Sequence, residues 1–452
     1  MSSINNSSNF LCPICHSKLK QRKKISLDCS RCKVNYPIIK DLFPILIKDS
    51  KKYLVKYIYK IEDEIIRLNN LSQSYNDKQI TKIISNDIEQ LESIKLTIIK
   101  FIAIEDVLKH EKKTEGIGYF NFKEYLIRDW SNSNDSEKEL LDIITPLRQE
   151  INNHVLKGKI ALIPGCGLGR ISYELSDIFS QIYSFDISLT MINMLNEVKA
   201  NRKKLRIYST KNNLTEKHKY KDFDIDIKKI LSKQKKKNIN RVVDFVGDSK
   251  NIPLPNNSVD AIISVYFSDV IPMNEYLEEF TRVLKPNGVF IHFGPLDYHF
   301  NDISQHHSLD TFFSNLEEKG FSINKNYQLV QTLNSNNSLN IKGYSNILFS
   351  AIKQKENIIN LETKLYFDKP FKFEIKGVFS GEFIEDKKNS SIIFHDGSEY
   401  TNTETIYNIL TVFREGFSIK KLVEKLKLKD LKQEKDIIEL ITILIAKKVF
   451  KT

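Results

Sequence analysis

The feature that most constrains this chain is a cluster of glycines in a sequence that otherwise has few. Only 15 of its 452 residues are Gly, and four of them fall between Gly158 and Gly169. The last three form the turn Gly165-Cys166-Gly167-Leu168-Gly169, which follows the apolar run KIALIP and precedes RISYELSDIF, a helix-like run. Glycine tolerates tight turns and close approach of a ligand to the backbone. The order strand, glycine turn, helix therefore predicts a nucleotide-like ligand at the carboxyl edge of a parallel sheet.

Strand-like and helix-like segments alternate from about residue 116 to residue 357. The strand candidates after the turn are IYSFDIS, RVVDFVG, AIISVYFS, VFIHFGP and ILFSAIK. Between them lie the helix candidates YLEEFTRVLK and LDTFFSNLEEKG. Alternation of this kind predicts an α/β fold, a Rossmann-like domain with a mostly parallel, doubly wound sheet.

Two acidic residues follow the turn at the ends of the next two predicted strands. Asp186 could accept hydrogen bonds from both ribose hydroxyls, and Asp248 is placed to bind the adenine amino group. The turn lacks the last glycine of the dinucleotide pattern GxGxxG, which favours S-adenosylmethionine over a nicotinamide cofactor. We therefore expect a class I methyltransferase domain whose cofactor contacts include Gly165, Gly167 and Gly169. The alternatives are a helix N-cap for Asp186 and a loop carboxylate for Asp248.

Three blocks resemble the carnosine N-methyltransferase family. They are RDWSNSNDSEKELLDIITPL, LIPGCGLGRISYEL and VYFSDVIPMNEYLEEFTRVLKPNGVFIHFGPLDYHF, in the family's order. The most specific pieces are Arg128-Asp129-Trp130 and GPLDYHF at residues 294–300. The resemblance implies an S-adenosylmethionine-dependent N-methyltransferase that acts on an imidazole nitrogen of a histidine-containing dipeptide, peptide or small molecule.

The same resemblance implies site residues. Arg128 would reach the methionine carboxylate of the cofactor. Asp269 and His299 would contact the imidazole and peptide of the acceptor and are the expected catalytic residues, with Tyr298 and Tyr344 as further substrate contacts. Asp269 could accept the N–H of one ring nitrogen and leave the other lone pair free. The alternatives are a helix cap for Asp269 and a structural role for His299.

This chain departs from the family at two positions near the cofactor. The family usually has Glu where Asp186 stands, and Gln where Tyr125 stands. Residues 201–241 match the family's variable insert only loosely. Carnosine is therefore one candidate acceptor among histidine-like molecules.

Four of the five cysteines form two CxxC pairs. Cys12 and Cys15 are separated by 13 residues from Cys29 and Cys32. Two such pairs can bring four thiolates to the tetrahedral positions that Zn²⁺ prefers. We expect a zinc ribbon with a structural zinc ion in residues 1–48. The segment YPIIKDLFP that follows resembles the zinc-ribbon domain of small methyltransferase-activator proteins.

The remaining divisions follow from local patterns. Residues 49–115 have helical periodicity, 116–357 form the methyltransferase domain, and 358–452 suggest short strands followed by a winged-helix-like domain. No apolar run is long enough for a membrane span, and the N-terminus does not resemble a secretory signal. We expect a cytoplasmic protein, and the sequence does not indicate its oligomeric state.

The formal net charge of +12 is concentrated in two segments. Residues 1–60 carry 13 Lys and Arg against 3 Asp, and residues 201–241 carry 15 against 4 acidic residues. Such patches attract polyanions, although solvated Lys-rich surface is the simpler interpretation. Two alternative functions stay open: an RNA or protein methyltransferase guided by the zinc ribbon, and a non-catalytic peptide- or DNA-binding protein on a methyltransferase scaffold.

Overall fold

A computed structural model gives the architecture of the chain, which divides into two compact units, residues 1–355 and 356–452. The residues described are 9–110, 112, 117–118, 120–131, 133–154, 156–208, 219–323, 327–334, 342–354, 361–374, 376–379, 381–386, 391–395, 397–401, 404–428 and 431–452.

The helices of the first unit include two long ones near the N-terminus, each capped by an aspartate. Asp49 accepts a hydrogen bond from Lys52 N, and Asp77 accepts from Gln79 N and Ile80 N. Such caps satisfy amides that have no partner within the helix. The bounds are α1 Ser50–Gln73, α2 Lys78–Ile98, α3 Ile104–Leu108, α4 Lys123–Trp130, α5 Asn134–Asn153, α6 Arg170–Glu174, α7 Leu189–Ala200, α8 Ile227–Ile230, α9 Lys233–Lys237, α10 Met273–Val283 and α11 Leu309–Glu318.

The strands of the first unit form a large sheet and a separate hairpin. Their bounds are β1 Lys20–Arg22, β2 Ser26–Cys29, β3 Val34–Ile39, β4 Phe43–Leu46, β5 Ile160–Pro164, β6 Gln181–Asp186, β7 Lys203–Tyr208, β8 Tyr220–Ile225, β9 Val242–Gly247, β10 Val259–Val265, β11 Leu284–Gly294, β12 Phe321–Ile323, β13 Gln328–Asn334 and β14 Lys342–Lys353.

The sheet order is β1-β2-β3-β4-β9-β6-β5-β10-β11-β14-β12, with β13 on β14. In this order, the neighbouring strands from β4 through β9, β6, β5 and β10 to β11 pair in parallel. Strand β14 pairs antiparallel with β11, and β12 and β13 each pair antiparallel with β14. The central strands are buried apolar runs, as in sheets covered on both faces. The prediction of an α/β fold with a mostly parallel sheet is confirmed.

The N-terminal ribbon joins this sheet directly. Strand β4 pairs in parallel with β9, where Ile45 faces Val246 and Leu46 faces Gly247. Phe10 packs edge-on against Phe245 of β9, with ring centroids 5.0 Å apart. The described part of the ribbon, residues 9–48, therefore shares one sheet and one core with the α/β domain. The predicted domain boundaries stay a prediction.

One helix is shorter than the sequence pattern indicates. RISYELSDIF predicts a helix over residues 170–179, but α6 ends at Glu174. The guanidinium of Arg148 donates to the carbonyl of Glu174 at 2.8 Å, and the hydroxyl of Ser176 donates to the carbonyl of Tyr173 at 2.8 Å. Side chains that bind backbone carbonyls compete with the backbone hydrogen bonds of a helix, so the helix does not continue beyond Glu174.

The basic segment 201–241 contains the antiparallel hairpin β7–β8, which pairs Lys203 with Ile225 through Tyr208 with Tyr220. Several of its cations are paired: Arg206 binds Asp222 at 2.6 Å, and Arg202 binds Asp224. Lys203 and Lys235 pair with Glu197 and Glu174, which lie outside the segment and are not counted in its charge, so part of its positive charge is neutralised from outside.

The second unit has its own apolar core. Its strands are β15 Lys364–Phe367, β16 Lys372–Glu374, β17 Gly377–Phe379, β18 Phe383–Glu385, β19 Ser391–Ile393, β20 Glu399–Thr401, β21 Phe417–Ser418 and β22 Phe450–Lys451. Its helices are α12 Glu404–Val412, α13 Ile419–Lys425 and α14 Leu431–Ala446. The sheet β21-β15-β22 accompanies the three helices, and the winged-helix assignment stays a prediction.

Among the described residues, none of the helices in either unit combines the length and the apolar character needed to cross a bilayer.

Candidate functional site

A cavity of about 480 Å³ opens at the carboxyl ends of β5, β6, β9 and β10. This is the edge at which parallel α/β sheets bind ligands, and the volume suits a nucleotide-sized molecule. Residues from α4, the glycine turn and the strand ends line it: Tyr125, Arg128, Asp129, Gly165, Cys166, Gly167, Arg170, Asp186, Gly247, Asp248, Ser249, Lys250, Tyr266 and Phe267, with further apolar residues between them.

The glycine turn needs its glycines for different reasons. Gly165 has φ +59, and a Cβ there would lie 2.6 Å from Cδ2 of Phe267. Gly167 has φ +54, but a Cβ would meet nothing within 4 Å, so this residue faces open cavity. Gly169 does not line the cavity; it is the N-cap of α6, and a Cβ would lie 2.8 Å from Leu195. Two of the three predicted glycine contacts thus border the cavity.

Asp186 joins the end of β6 to the glycine turn. Its Oδ2 accepts a hydrogen bond from Gly167 N at 2.9 Å, and its Oδ1 accepts from Ser188 N at 2.8 Å. Burial raises the pKa of this carboxyl. The helix N-cap of α7 is Ser188 rather than Asp186. Each carboxylate oxygen keeps a lone pair for a further donor, because a carboxylate can accept about four hydrogen bonds.

Asp248 follows β9 and lines the same cavity. Its Oδ1 accepts from Lys250 N at 3.0 Å, which fixes the loop that also brings Ser249 to the cavity wall. Burial raises the pKa of the Asp248 carboxyl. The structure thus brings together both predicted acidic residues, Asp186 and Asp248.

Arg128 enters the cavity from α4. Its Nε donates to Oδ1 of Asp129 at 2.7 Å, and its guanidinium lies 5.2 Å from the ring centre of Tyr125. Trp130 is fully buried, and its indole N–H donates to Leu168 O at 2.9 Å. This bond fastens α4 to the glycine turn.

Sequence reasoning missed Asp129 and Arg170 as cavity residues. Asp129 is 1% exposed, and Arg170, itself buried, donates to the backbone carbonyl of Asp129 and to Glu174. Their positions in the sequence could have indicated both residues. Asp129 lies inside the specific Arg128-Asp129-Trp130 block, and Arg170 directly follows the glycine turn.

Asp269 lies four residues beyond the end of β10 and is only 3% exposed. Its sequence neighbours Phe267, Val270 and Ile271 line the cavity, although Asp269 itself does not. Its Oδ2 accepts from Asp297 N at 3.1 Å, and its backbone carbonyl accepts from His299 N at 2.9 Å. Burial raises the pKa of Asp269 to about 6. Asp269 does not cap the next helix, which begins at Met273 after Pro272.

A buried histidine of β11 contacts the loop that carries Asp269 and the end of its own strand. His292 Nδ1 lies 3.1 Å from Ser268 Oγ, and its Nε2 lies 3.2 Å from Gly294 O. Ser264 Oγ lies 2.8 Å from Ser268 Oγ. Burial lowers the pKa of His292 to about 4, so the ring is neutral at pH 7. A neutral ring that donates from Nε2 and accepts at Nδ1 satisfies both contacts.

The other predicted substrate residues lie outside the cavity lining, two of them in the loop after β11 and one on β14. His299 is exposed and joined to Asp269 through the backbone. Tyr298 donates to His307 O at 2.8 Å and stacks on His306. Tyr344 is 39% exposed, with its ring 6.2 Å from that of Tyr266, a cavity residue.

The four cysteines of the CxxC pairs form a second cluster. The sulfur atoms of Cys12, Cys15, Cys29 and Cys32 all lie within 4.8 Å of one another. A tetrahedral zinc ion with Zn–S bonds of about 2.3 Å would hold its sulfurs about 3.8 Å apart, so the cluster can hold a metal ion. The hydroxyl of Tyr36 lies 3.2 Å from Cys12 Sγ, and Cys32 N donates to Cys29 Sγ at 3.3 Å.

Known proteins match the region that contains the cavity. The family model described as carnosine N-methyltransferase matches residues 120–355, just over half of the chain. The carnosine N-methyltransferase of Dictyostelium discoideum is 34% identical over 197 residues, 38% of this chain and 40% of that protein. The carnosine N-methyltransferase of Mus musculus is 25% identical over 246 residues, 48% of this chain and 58% of that protein. The chain spans about half the length of the curated relatives it matches.

Solved methyltransferase structures are more distant. The magnesium protoporphyrin IX methyltransferase of Synechocystis PCC 6803 with bound SAM is 14% identical, with a TM-score of 0.33. The match covers 51% of this chain and 88% of that one.

Proposed function

Because the chain belongs to the carnosine N-methyltransferase family, we propose that it transfers a methyl group from S-adenosylmethionine to an imidazole nitrogen of a histidine-containing dipeptide, peptide or small molecule. The observation that carries the proposal is the buried carboxyl of Asp269 beside the cavity of the glycine turn. The GPLDYHF loop is hydrogen-bonded to Asp269 at two points.

The residues around the cavity fit the cofactor. Gly167 presents open space where any other residue would place a Cβ, which suits close approach of a nucleoside. Asp186 would hold the ribose hydroxyls, Asp248 would lie near the adenine, and the Arg128 guanidinium would pair with the methionine carboxylate. When bound, S-adenosylmethionine supplies an electrophilic methyl group.

Asp269 would position the acceptor. Free imidazole has a pKa of about 6.5, so much of it is neutral at pH 7 and needs no strong base before attack. The Asp269 carboxylate would accept the N–H of one ring nitrogen, which fixes the tautomer and directs the other lone pair at the cavity. It would also stabilise the imidazolium that forms as the N–CH3 bond replaces the S–CH3 bond. S-adenosylhomocysteine would be the co-product, and the N–H proton of the imidazolium would pass to solvent by way of the Asp269 carboxylate. His299, Tyr298 and Tyr344 would contact the rest of the acceptor.

The test combines calorimetry with a transfer assay at pH 8. The wild-type chain is expected to bind S-adenosylmethionine and to methylate carnosine, histidine or a histidine-containing peptide. Asp269→Asn should keep cofactor binding and lose most of the transfer. Asp297→Asn, an exposed carboxylate in the adjoining loop, is the matched control and should retain transfer. Absence of cofactor binding would instead favour the non-catalytic peptide- or DNA-binding alternative.

We also propose that the four-cysteine cluster holds a structural zinc ion. The sulfur separations, the Tyr36 hydroxyl at Cys12 and the backbone N–H at Cys29 support four bound thiolates. The five free cysteines fit a reducing compartment, so we propose a cytoplasmic location. For the second unit we propose a winged-helix-like domain.

The alternative of an RNA or protein methyltransferase guided by the ribbon rests on the two basic segments. Its support is reduced because Lys203 and Lys235 of the second segment pair with Glu197 and Glu174, which lie outside that segment. RNA binding that weakens steeply with salt and is lost on deleting residues 1–48 would favour it. Methyl transfer to a small acceptor without RNA would count against it.

A further inference from the structure

The N-terminal helical segment supplies two buried tyrosines to the loop that carries Asp186. Tyr53 and Tyr57 lie one turn apart on α1 and are 4% and 0% exposed. Their ring centres are 5.3 Å apart. Both hydroxyls reach residues 187–190, more than 130 residues further along the chain. This segment lies outside the region that the family model matches, residues 120–355.

The hydroxyl of Tyr53 bridges two backbone groups. It donates to Ile187 O at 2.5 Å and accepts from Leu189 N at 3.0 Å. The hydroxyl of Tyr57 accepts from Thr190 N at 3.1 Å and lies 3.1 Å from both Ser188 Oγ and Thr190 Oγ1. Burial raises the pKa of both tyrosines, so both hydroxyls keep their protons.

These contacts complete the N-terminus of α7. The first amides of a helix have no partner within the helix and must be satisfied by other groups. Leu189 N binds Tyr53, Thr190 N binds Tyr57, and Met191 N binds Ser188 Oγ, its own N-cap, at 3.3 Å. Two of the three caps therefore come from α1.

The same loop holds Asp186 in place. Ser188 N donates to Oδ1 of Asp186, whose Oδ2 accepts from Gly167 in the glycine turn. The side chain of Ile187 lines the cavity and packs against Gly118, where a Cβ would lie 2.6 Å from Ile187 Cγ2. A shift of residues 187–190 would therefore move the carboxylate and one cavity wall together.

We propose that Tyr53 and Tyr57 are positioning residues for the cofactor site, which hold the Asp186 carboxylate through the loop 187–190. This inference rests on the proposed function, since it assumes that Asp186 binds the ribose of the cofactor. It gives the segment 50–73 a role in cofactor affinity.

The test is calorimetric titration of the full chain with S-adenosylhomocysteine, for the wild type, Tyr53→Phe and Tyr57→Phe. Each substitution removes one hydroxyl and leaves a buried amide unpaired, so we expect affinity to fall on the order of tenfold. Tyr59→Phe is the matched control: its hydroxyl, on the same helix, donates to Val107 O at 3.2 Å, away from the loop. It should bind with wild-type affinity.

A double-mutant cycle separates positioning from general destabilisation. If the tyrosines act through Asp186, the loss caused by Tyr53→Phe should shrink in an Asp186→Asn background. A merely structural role would give the same loss in both backgrounds. Should a phenylalanine variant fail to fold, Thr190→Val carries the test, because it removes one partner of Tyr57 and keeps both tyrosines.

The outcomes are distinguishable. If the wild type does not bind S-adenosylhomocysteine, the proposed function fails and this inference fails with it. If the wild type binds and both phenylalanine variants match its affinity, the inference alone is overturned. Weaker binding in both variants, with a non-additive cycle and a normal Tyr59→Phe, supports it.

Discussion

Replacing Asp269 by Asn should stabilise the first unit at neutral pH while it removes activity. The carboxyl is 3% exposed, and burial raises its pKa from 3.8 to about 6. Between these values the folded unit binds a proton that the unfolded chain has released, so the free energy of unfolding falls as pH rises through this window. A difference of about 2 pKa units corresponds to a stability loss of about 3 kcal/mol above pH 7.

Asparagine resembles the protonated acid and does not titrate. Its side-chain oxygen can still accept from Asp297 N, which the carboxylate does at 3.1 Å. Relative to wild type, Asp269→Asn should therefore gain about 3 kcal/mol, with the gain accumulating between about pH 4 and pH 6 and staying level up to pH 7.5. A buried, ionised group at a functional site is a usual source of such a trade-off between stability and activity.

Trp130 makes the measurement specific to this unit. It is the only tryptophan of the chain and is fully buried in the first unit, so its fluorescence during urea unfolding reports that unit. Asp297→Asn, exposed in the adjoining loop, is the control and should show no comparable gain. A stability difference between Asp269→Asn and wild type that is constant from pH 4 to 7.5, or that favours wild type at neutral pH, would contradict a raised pKa at Asp269.

Three other predictions follow from the buried groups and the turn. Burial lowers the pKa of His292 from 6.5 to about 4, so on acidification the unfolded chain binds a proton at this residue before the folded chain does. The free energy of unfolding should therefore fall as pH drops below 6.5, by up to about 3 kcal/mol. His292→Gln should remove that loss in the Trp130 assay, and parallel stability curves for the variant and wild type would contradict this prediction. Gly165→Ala, with φ +59 and a clash at Phe267, should weaken S-adenosylmethionine binding by at least about tenfold in calorimetry. Gly158→Ala has the same backbone strain, with φ +77, but its added Cβ meets nothing within 4 Å and the residue lies outside the cavity lining, so it should bind normally. Equal affinities of the two variants would show that the turn is not at the cofactor. Cys12→Ser should contain no zinc by elemental analysis and should unfold at a lower urea concentration in the Trp130 assay. Cys166→Ser, outside the cluster, should keep its zinc. A wild-type chain without metal would argue against the zinc site.

The central sheet could be predicted because its strands are short apolar runs with turn residues at their ends. The six strand candidates correspond to β5, β6, β9, β10, β11 and β14. Asp186 and Asp248 could be found because strand ends in a parallel sheet meet at one edge, and both do line the cavity. Local pattern was sufficient for these two residues because their place at the cavity depends only on where a strand ends.

The errors and omissions have local or long-range causes. Helix α6 ends at Glu174, five residues before the predicted end, because the guanidinium of Arg148 binds the backbone carbonyl of Glu174. The β7–β8 hairpin was missed, although Arg206 and Asp222 face each other in a segment where polar and apolar residues alternate. The alternation of polar and apolar residues predicts strands here, but the segment was interpreted only from its many Lys and Arg residues.

Contacts between segments far apart in the chain could not be predicted from local sequence patterns. The pairing of β4 with β9 joins segments about 200 residues apart, and nothing in either strand specifies its partner. The contacts of Tyr53 and Tyr57 with residues 187–190 are similarly distant. On sequence alone these tyrosines belong to the apolar face of an amphipathic helix, and only the fold shows which polar groups their hydroxyls meet.

The proposed reaction is methylation of an imidazole nitrogen beside Asp269. Its most direct test is incubation of the purified chain with carnosine and a deuterated S-adenosylmethionine, followed by tandem mass spectrometry that locates the label. Deuterated methyl on a ring nitrogen in the wild type, and its loss in Asp269→Asn, is the predicted result. Label on any other atom, or equal transfer by wild type and Asp269→Asn, would contradict the account.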